Sequence, residues 1–400
     1  MKYPPQQPTR FVIGAILFAA GWIPALRQHL DELSNQHAGK ALDSYINKDL
    51  EAAAEEYHEA LVWKPNDPGL LTGLGRVYVD QKKTDEAEEL FRKALYFDYQ
   101  HPRALKALGS LLQEKNHLPD AMYLYLRYLE VQPKDAVVCS NLGAAFHNLG
   151  DYESALTYYE RAEKEDPKDP LIKKNHALAL LALGRSEVAR AKLKEASLLA
   201  PNDAEIHRLL GSALSASGDL EQAAKFYELA LKGDPMNADG HFEFAVVLTG
   251  LNRYKEATEH SKTAADLFIA VRDTGRAAQA YWELGWDYYR MGEWENSVRM
   301  STEALQYDPK IAAVYFNIGL ALLHLGRDSE ALKRYEDGIQ NLSQVIDLKY
   351  YAIDDLKTAL QQNPDLPGGA NILAMLEKKY AAAAENVTRS APSPSASLTI

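Results

Sequence analysis

Between Asn141 and Pro167 the chain reads NLGAAFHNLGDYESALTYYERAEKEDP. Apolar residues recur three and four positions apart on both sides of Gly150, which predicts two amphipathic helices around a glycine turn. Small residues (Gly143, Ala155, Ala162) stand at set distances from large ones (Phe146, Tyr159), and Pro167 closes the run. The same grid recurs every 34 residues, in repeats that begin at Ser34, Pro68, Pro102, Ala136, Pro170, Ala204 and Ala238. After a six-residue slip, two more begin at Ala278 and Ala312.

Counted from the first residue of each repeat, position 20 of the first seven is always alanine, from Ala53 to Ala257. Position 8 is always small: Ala41, Gly75, Gly109, Gly143, Ala177, Gly211, Ala245, then Gly285 and Gly319. Position 24 is mostly aromatic (Tyr57, Phe91, Tyr125, Tyr159, Tyr227), and position 32 is often proline (Pro65, Pro133, Pro167, Pro201, Pro235, Pro309). The turn at position 15 carries Gly150, Gly184, Gly218, Gly292 and Gly326, with Asn116 and Asn252 elsewhere, residues that tolerate the left-handed backbone ending a helix.

This grid resembles the tetratricopeptide repeat, a 34-residue helix–turn–helix unit, over residues 34–342. The resemblance implies an all-α fold: a right-handed α-solenoid of about nine stacked units. One helix pair buries a single face, so stability comes from stacking neighbours. Small residues at positions 8 and 20 let the paired backbones approach, and larger ones fill the space between units. Repeat seven lacks its closing proline and runs on through ADLFIAVRDTGRAAQ, like the longer variant of the unit. Beyond Asn341 the register breaks, and residues 343–385 are expected to form C-terminal capping helices. Residues 386–400, rich in Ser, Pro and Ala, are expected to be a disordered tail.

The N-terminal segment, residues 1–30, differs in character. Phe11 to Leu26 carries no charge over sixteen residues and lies between Arg10 and Arg27. It is short for a membrane span and long for a signal-peptide core. It predicts an extracytoplasmic protein anchored in the membrane by residues 11–26, or one secreted after cleavage near Gly21.

Hydrophobic residues make up 46% of the chain, ample for a core, and 25% are charged. The net charge of -12, without a long basic run, excludes a nucleic-acid partner. Cys139 is the single cysteine and falls on a packing position, so neither a disulfide framework nor a cysteine zinc site is available. No phosphate-binding loop, HExxH or GxSxG motif occurs, and no two histidines stand four apart on one helix. Catalytic residues, metal ligands and cofactors are therefore expected to be absent, and the chain is read as non-enzymatic.

In tetratricopeptide solenoids the first helix of each unit lines a concave groove, which implies that positions 2, 5, 6, 9, 12 and 13 face it. Position 5 runs Lys106, Ser140, Lys174, Arg208 and then Phe242, Trp282, Phe316. Trp286 and Tyr289 extend an aromatic stripe from Trp282 along one helix, so the groove reads as cationic, then aromatic. Position 6 adds Asn141, Asn175 and Asn317. The carboxylate clamp of chaperone-binding members is matched by Lys106 and Asn141, but not by Ser110, Leu171 or Asn175. Lys106, Asn141, Lys174, Asn175, Arg208, Phe242, Trp282, Trp286, Tyr289 and Phe316 are thus the candidate groove for a protein or peptide partner. The resulting reading is a non-catalytic, tethered interaction scaffold. The alternatives are a secreted solenoid that binds a glycan or small hydrophobic ligand on its aromatic patch, and an accessory subunit of a transferase complex.

Overall fold

The computed structural model describes residues 23–390, with side chains to residue 383. Every regular element among them is helical. The described residues divide into two compact bodies, which meet in the chain between Leu199 and Ala200. Each body is a stack of antiparallel helix pairs. In the N-terminal body helix A and helix B of repeats one to five are Pro24–Ile46 with Leu50–Trp63, Pro68–Asp80 with Thr84–Phe97, Pro102–Glu114 with Leu118–Val131, Ala136–Asn148 with Tyr152–Glu165, and Pro170–Ala182 with Ser186–Leu199. In the C-terminal body repeats six to nine are Ala204–Ala216 with Leu220–Gly233, Ala238–Gly250 with Tyr254–Ala270, Thr274–Arg290 with Trp294–Tyr307, and Ala312–His324 with Asp328–Gln340.

The small-to-large grid is a set of close approaches between ring and backbone. Phe91, Tyr125, Tyr159, Tyr227 and Tyr335 are buried at position 24, each laid against the glycine at position 8 of its own repeat. A Cβ added at Gly143 would stand 2.8 Å from the Tyr159 ring, and one at Gly109 would stand 2.7 Å from Tyr125. Where position 8 is Ala177 or Ala245, position 24 is Leu193 or Ser261 instead of a ring. The turns have left-handed backbone at the expected glycines and asparagines, and also at Lys48, Lys82 and Arg272. Aspartate caps start many helices: Asp67, Asp135, Asp151, Asp203 and Asp219 each accept from a backbone N–H of the first turn. Cys139 is buried in the packing between repeats, and burial pushes its thiol up.

The expected anchoring in the membrane by residues 11–26 is corrected here. No helix among the described residues is long and apolar enough to cross a membrane. The described end of the apolar run enters the helix Pro24–Ile46, whose first turns carry Arg27, His29, Asp31 and Glu32. That helix belongs to repeat one, where Leu30, Ser34 and Ala41 are buried and the Ser34 hydroxyl donates to the Ala60 carbonyl at 3.1 Å. Residues 11–22, including the cleavage position near Gly21, lie outside the described residues.

After repeat nine the chain forms a short helix, Val345–Leu348, a π-helical turn, Lys349–Ile353, and the helices Asp354–Gln362 and Gly369–Ser390. Leu348, Ala352, Ile353, Leu356 and Ala359 are buried against Phe316, Leu320 and Leu323 of repeat nine. The last helix runs to Ser390, past the boundary expected at residue 385. The expected tail from residue 391 onward lies outside the described residues.

Candidate interaction surfaces

In the N-terminal body, helix A of repeats two and three encloses a cavity of about 410 Å³. Val79, Phe91 and Leu111 give it an apolar floor, and Arg76, Arg103 and Lys106 stand around it. Lys106 is already engaged: its Nζ lies 2.8 Å from Asp135 and over the Tyr128 ring. That contact, the Tyr128 hydroxyl and the Val138 amide hold the Asp135 carboxyl below the usual range, outweighing the burial that would raise it. Arg76 and Arg103 are exposed and have no carboxylate partner among the described residues. Arg76 instead lies over the Tyr45 ring, 5.5 Å from its centroid. Of the two acids at the edge of the cavity, Asp80 accepts from the Tyr45 hydroxyl at 2.7 Å and Glu114 is exposed.

The other candidates of this body behave differently from one another. Asn141 donates from Nδ2 to the Tyr125 hydroxyl at 3.3 Å, so its amide fixes a core ring. Lys174 and Asn175 are half-buried and have no side-chain partner among the described residues. Their neighbour Lys173 is buried, and its ammonium bridges Glu163 and Glu195.

Two expected groove residues of the C-terminal body are corrected. Arg208 is no free cation: its guanidinium pairs with Glu205 at 3.0 Å and with both carboxylate oxygens of Glu243 at 2.9 Å. Burial keeps Glu243 above the usual carboxylate range even beside Arg208. Phe316 is core, 1% exposed, because Gly338 on helix B of its own repeat leaves room for the ring. A Cβ at Gly338 would stand 2.4 Å from it. Phe242 is half-buried beside Phe268, Ala277 and Ala280.

The aromatic stripe is largely covered from within. Trp282 meets Tyr351 of the π-helical turn edge to face, with centroids 6.1 Å apart. Further along helix A of repeat eight, a cavity of about 340 Å³ remains under the helix Asp354–Gln362. Trp286 stacks on Tyr289 at 5.1 Å, and Trp294 stacks on His324 at 4.8 Å. A 3.0 Å hydrogen bond between the Tyr289 hydroxyl and His324 Nε2 joins the two pairs. Burial pushes the Tyr289 hydroxyl up to about 12 and lowers the His324 imidazole, which is therefore neutral at pH 7. Asp355 lines the same cavity, half-buried and without a partner among the described residues. Burial, then the charge of Asp354, lifts its carboxyl to about 6.

Arg76, Arg103, Trp294, His324 and Asp355 were not singled out by the sequence. Arg76 and Arg103 occupy groove positions 9 and 2, so the repeat numbering could have found them. Asp355 could not be found that way, since it lies where the register has failed. Spacing along single helices also misses His241 and His260, whose Nδ1 atoms meet at 2.8 Å between helix A and helix B of repeat seven. His241 Nε2 donates to the Pro235 carbonyl at 3.1 Å, so its Nδ1 accepts and the His260 Nδ1–H donates. No group of three metal-ligating side chains lies together among the described residues.

Family models described as tetratricopeptide repeat match residues 25–200, and residues 174–238 and 282–344. Among solved structures, the chain is similar to Pseudomonas aeruginosa pilF at 20% identity, over 53% of this chain and 96% of that one, with a TM-score of 0.49. It is similar to a tetratricopeptide repeat protein of Parabacteroides merdae at 18% identity, over 59% and 93%, with a TM-score of 0.47. It also resembles MamA from Desulfovibrio magneticus RS-1 at 21% identity, over 42% and 96%, with a TM-score of 0.40. No curated protein matches. The family matches follow the same helix pairs that the ring-on-glycine grid builds, and the chain belongs to the tetratricopeptide repeat family.

Proposed function

We propose that the chain is a protein-interaction scaffold whose N-terminal body docks an acidic segment of a partner protein around Arg76 and Arg103. One observation carries the reading: two guanidinium groups without carboxylate partners stand at an apolar-floored cavity of about 410 Å³. An apolar side chain entering such a pocket supplies most of the affinity of a docking site, and the flanking charges set orientation and choice of partner. Arginine suits this role because its planar fork meets a carboxylate with two parallel hydrogen bonds. Lys106 and Asn141 hold the wall of the site through Asp135 and Tyr125, and Lys174 and Asn175 extend it toward repeat five.

The reading commits to a short segment with one aromatic or branched apolar residue flanked by Asp or Glu. The test is a titration of the full chain with such a peptide and with its Lys-flanked counterpart. The acidic peptide should bind more tightly, and Arg76→Glu with Arg103→Glu should weaken it about tenfold or more. Equal binding of the two peptides, or unchanged binding by a folded double variant, would overturn the assignment.

A further inference from the structure

We propose that the cavity between Trp286, Trp294 and Asp355 in the C-terminal body is a binding site for an organic ammonium group, alkylated on nitrogen. The site is separate from the peptide surface around Arg76 and stands without it.

Three features lead to this chemistry. The first is the wall of rings: the Trp286–Tyr289 and Trp294–His324 stacks line one cavity and are tied together by the Tyr289–His324 hydrogen bond. Ring faces attract a cation through their quadrupole, most strongly for tryptophan, and the attraction grows when the cation has shed its water. The second is the carboxyl of Asp355, which lines the same cavity with neither an ion pair nor a hydrogen bond among the described residues. Its carboxyl loses its proton near pH 6 and carries a charge at neutral pH. A half-buried carboxylate without a counter-charge is costly, and a cationic ligand removes that cost.

The third is what the neighbouring cations do. Arg290, the one lining arginine, turns its guanidinium to the Tyr254 hydroxyl, at 3.1 Å from Nε and 2.8 Å from NH2. It lowers the Asp355 proton affinity only as a secondary influence. His324 is kept neutral by burial. The acid of the cavity is thus left for an outside partner. The volume of about 340 Å³ admits a trimethylammonium-sized head with its linker, at the small end of ligand sites. Methyl groups match the rings better than a bare ammonium, which would leave strong N–H donors facing apolar carbon.

The experiment is calorimetric titration of the full chain with tetramethylammonium at constant ionic strength. It is paired with neopentyl alcohol, which has nearly the same shape and no charge. Saturable binding of the ammonium, with the alcohol about tenfold weaker or worse, is expected. Asp355→Asn keeps the side-chain volume and should lose about tenfold, as should Trp286→Leu. Choline and a trimethyllysine peptide then separate a free small molecule from a modified protein as the source; tighter binding of either identifies it. Equal binding of the alcohol, saturation by glucose in place of the ammonium, or full affinity in a folded Asp355→Asn protein would overturn the proposal. Should the variants fail to fold, the charged and uncharged probes on the wild-type chain still decide it.

Discussion

The side chains of Thr249 and Asp287 meet at 2.6 Å and tie helix A of repeat seven to helix A of repeat eight. The Thr249 hydroxyl also lies 3.0 Å from the Ala245 carbonyl and has one hydrogen to give. A protonated Asp287 satisfies both contacts: the acid donates to Thr249, and Thr249 donates to Ala245. Burial, the largest influence, and the charge of Glu283 raise the Asp287 carboxyl to about 7, in keeping with this arrangement.

Asp287 therefore gives the fold a slope with pH. The folded state holds the proton more tightly than the unfolded chain does, so this stabilisation is full below about pH 4 and is lost as pH rises to 7. Asp287→Asn mimics the protonated acid. It should raise the melting temperature at pH 8, by an amount corresponding to about 4 kcal/mol at most, and change little at pH 4. Thermal denaturation across pH measures this; a variant less stable than the wild type at pH 8 would show that the carboxylate is accommodated. His260 acts in the opposite sense, since burial and His241 depress it to about 4 and its stabilisation is lost as pH falls from 6.5. The Asp287→Asn variant should expose that second slope.

Gly143→Ala should destabilise the chain by about 1–3 kcal/mol, because the added methyl enters the Tyr159 ring at a buried contact. Adding Tyr159→Leu should recover much of the loss, reproducing the Ala177 and Leu193 combination of repeat five. Urea denaturation of the two single variants and the double variant gives the coupling energy. Strict additivity would mean that the ring and the glycine are independent.

Removing Arg208 should lower stability and leave peptide capture around Arg76 unchanged. Arg208→Ala strands Glu243, already above the usual carboxylate range through burial, at about 1–3 kcal/mol. Arg208→Ala with Glu243→Gln should restore most of this. Melting curves and the peptide titration check both halves of the expectation.

Deleting residues 345–400 should uncover Leu320 and Leu323, which Leu348, Ala352 and Leu356 now bury. Repeat nine would then present a wide apolar face, and association or dye binding should follow. Size-exclusion chromatography with light scattering reports it; a well-behaved monomer would mean that repeat nine closes over its own core.

The repeats were legible because packing recurs: Gly143, Ala155 and Tyr159 repeat at fixed spacing, and each lies where the grid puts it. Groove chemistry was less legible, since orientation alone does not say whether a charge is free. Arg208 meets Glu243 one repeat later, and nothing in the spacing of either residue marks them as partners. Phe316 shares its position with Lys106 and Lys174, yet Gly338 in place of the usual alanine draws its ring inward. The cover over Trp282 depends on Tyr351 in a π-helical turn, a local geometry with no periodic signature.

In repeats seven and eight the position-24 ring is replaced by Ser261 and Ser301, whose buried hydroxyls, with that of Ser297, have no partner among the described residues. In repeats two, three, four, six and nine an aromatic wedge locks each helix to its mate. Under tension applied along the C-terminal body, this wedge-free seam is the place to part first, an extensible joint between stiffer segments.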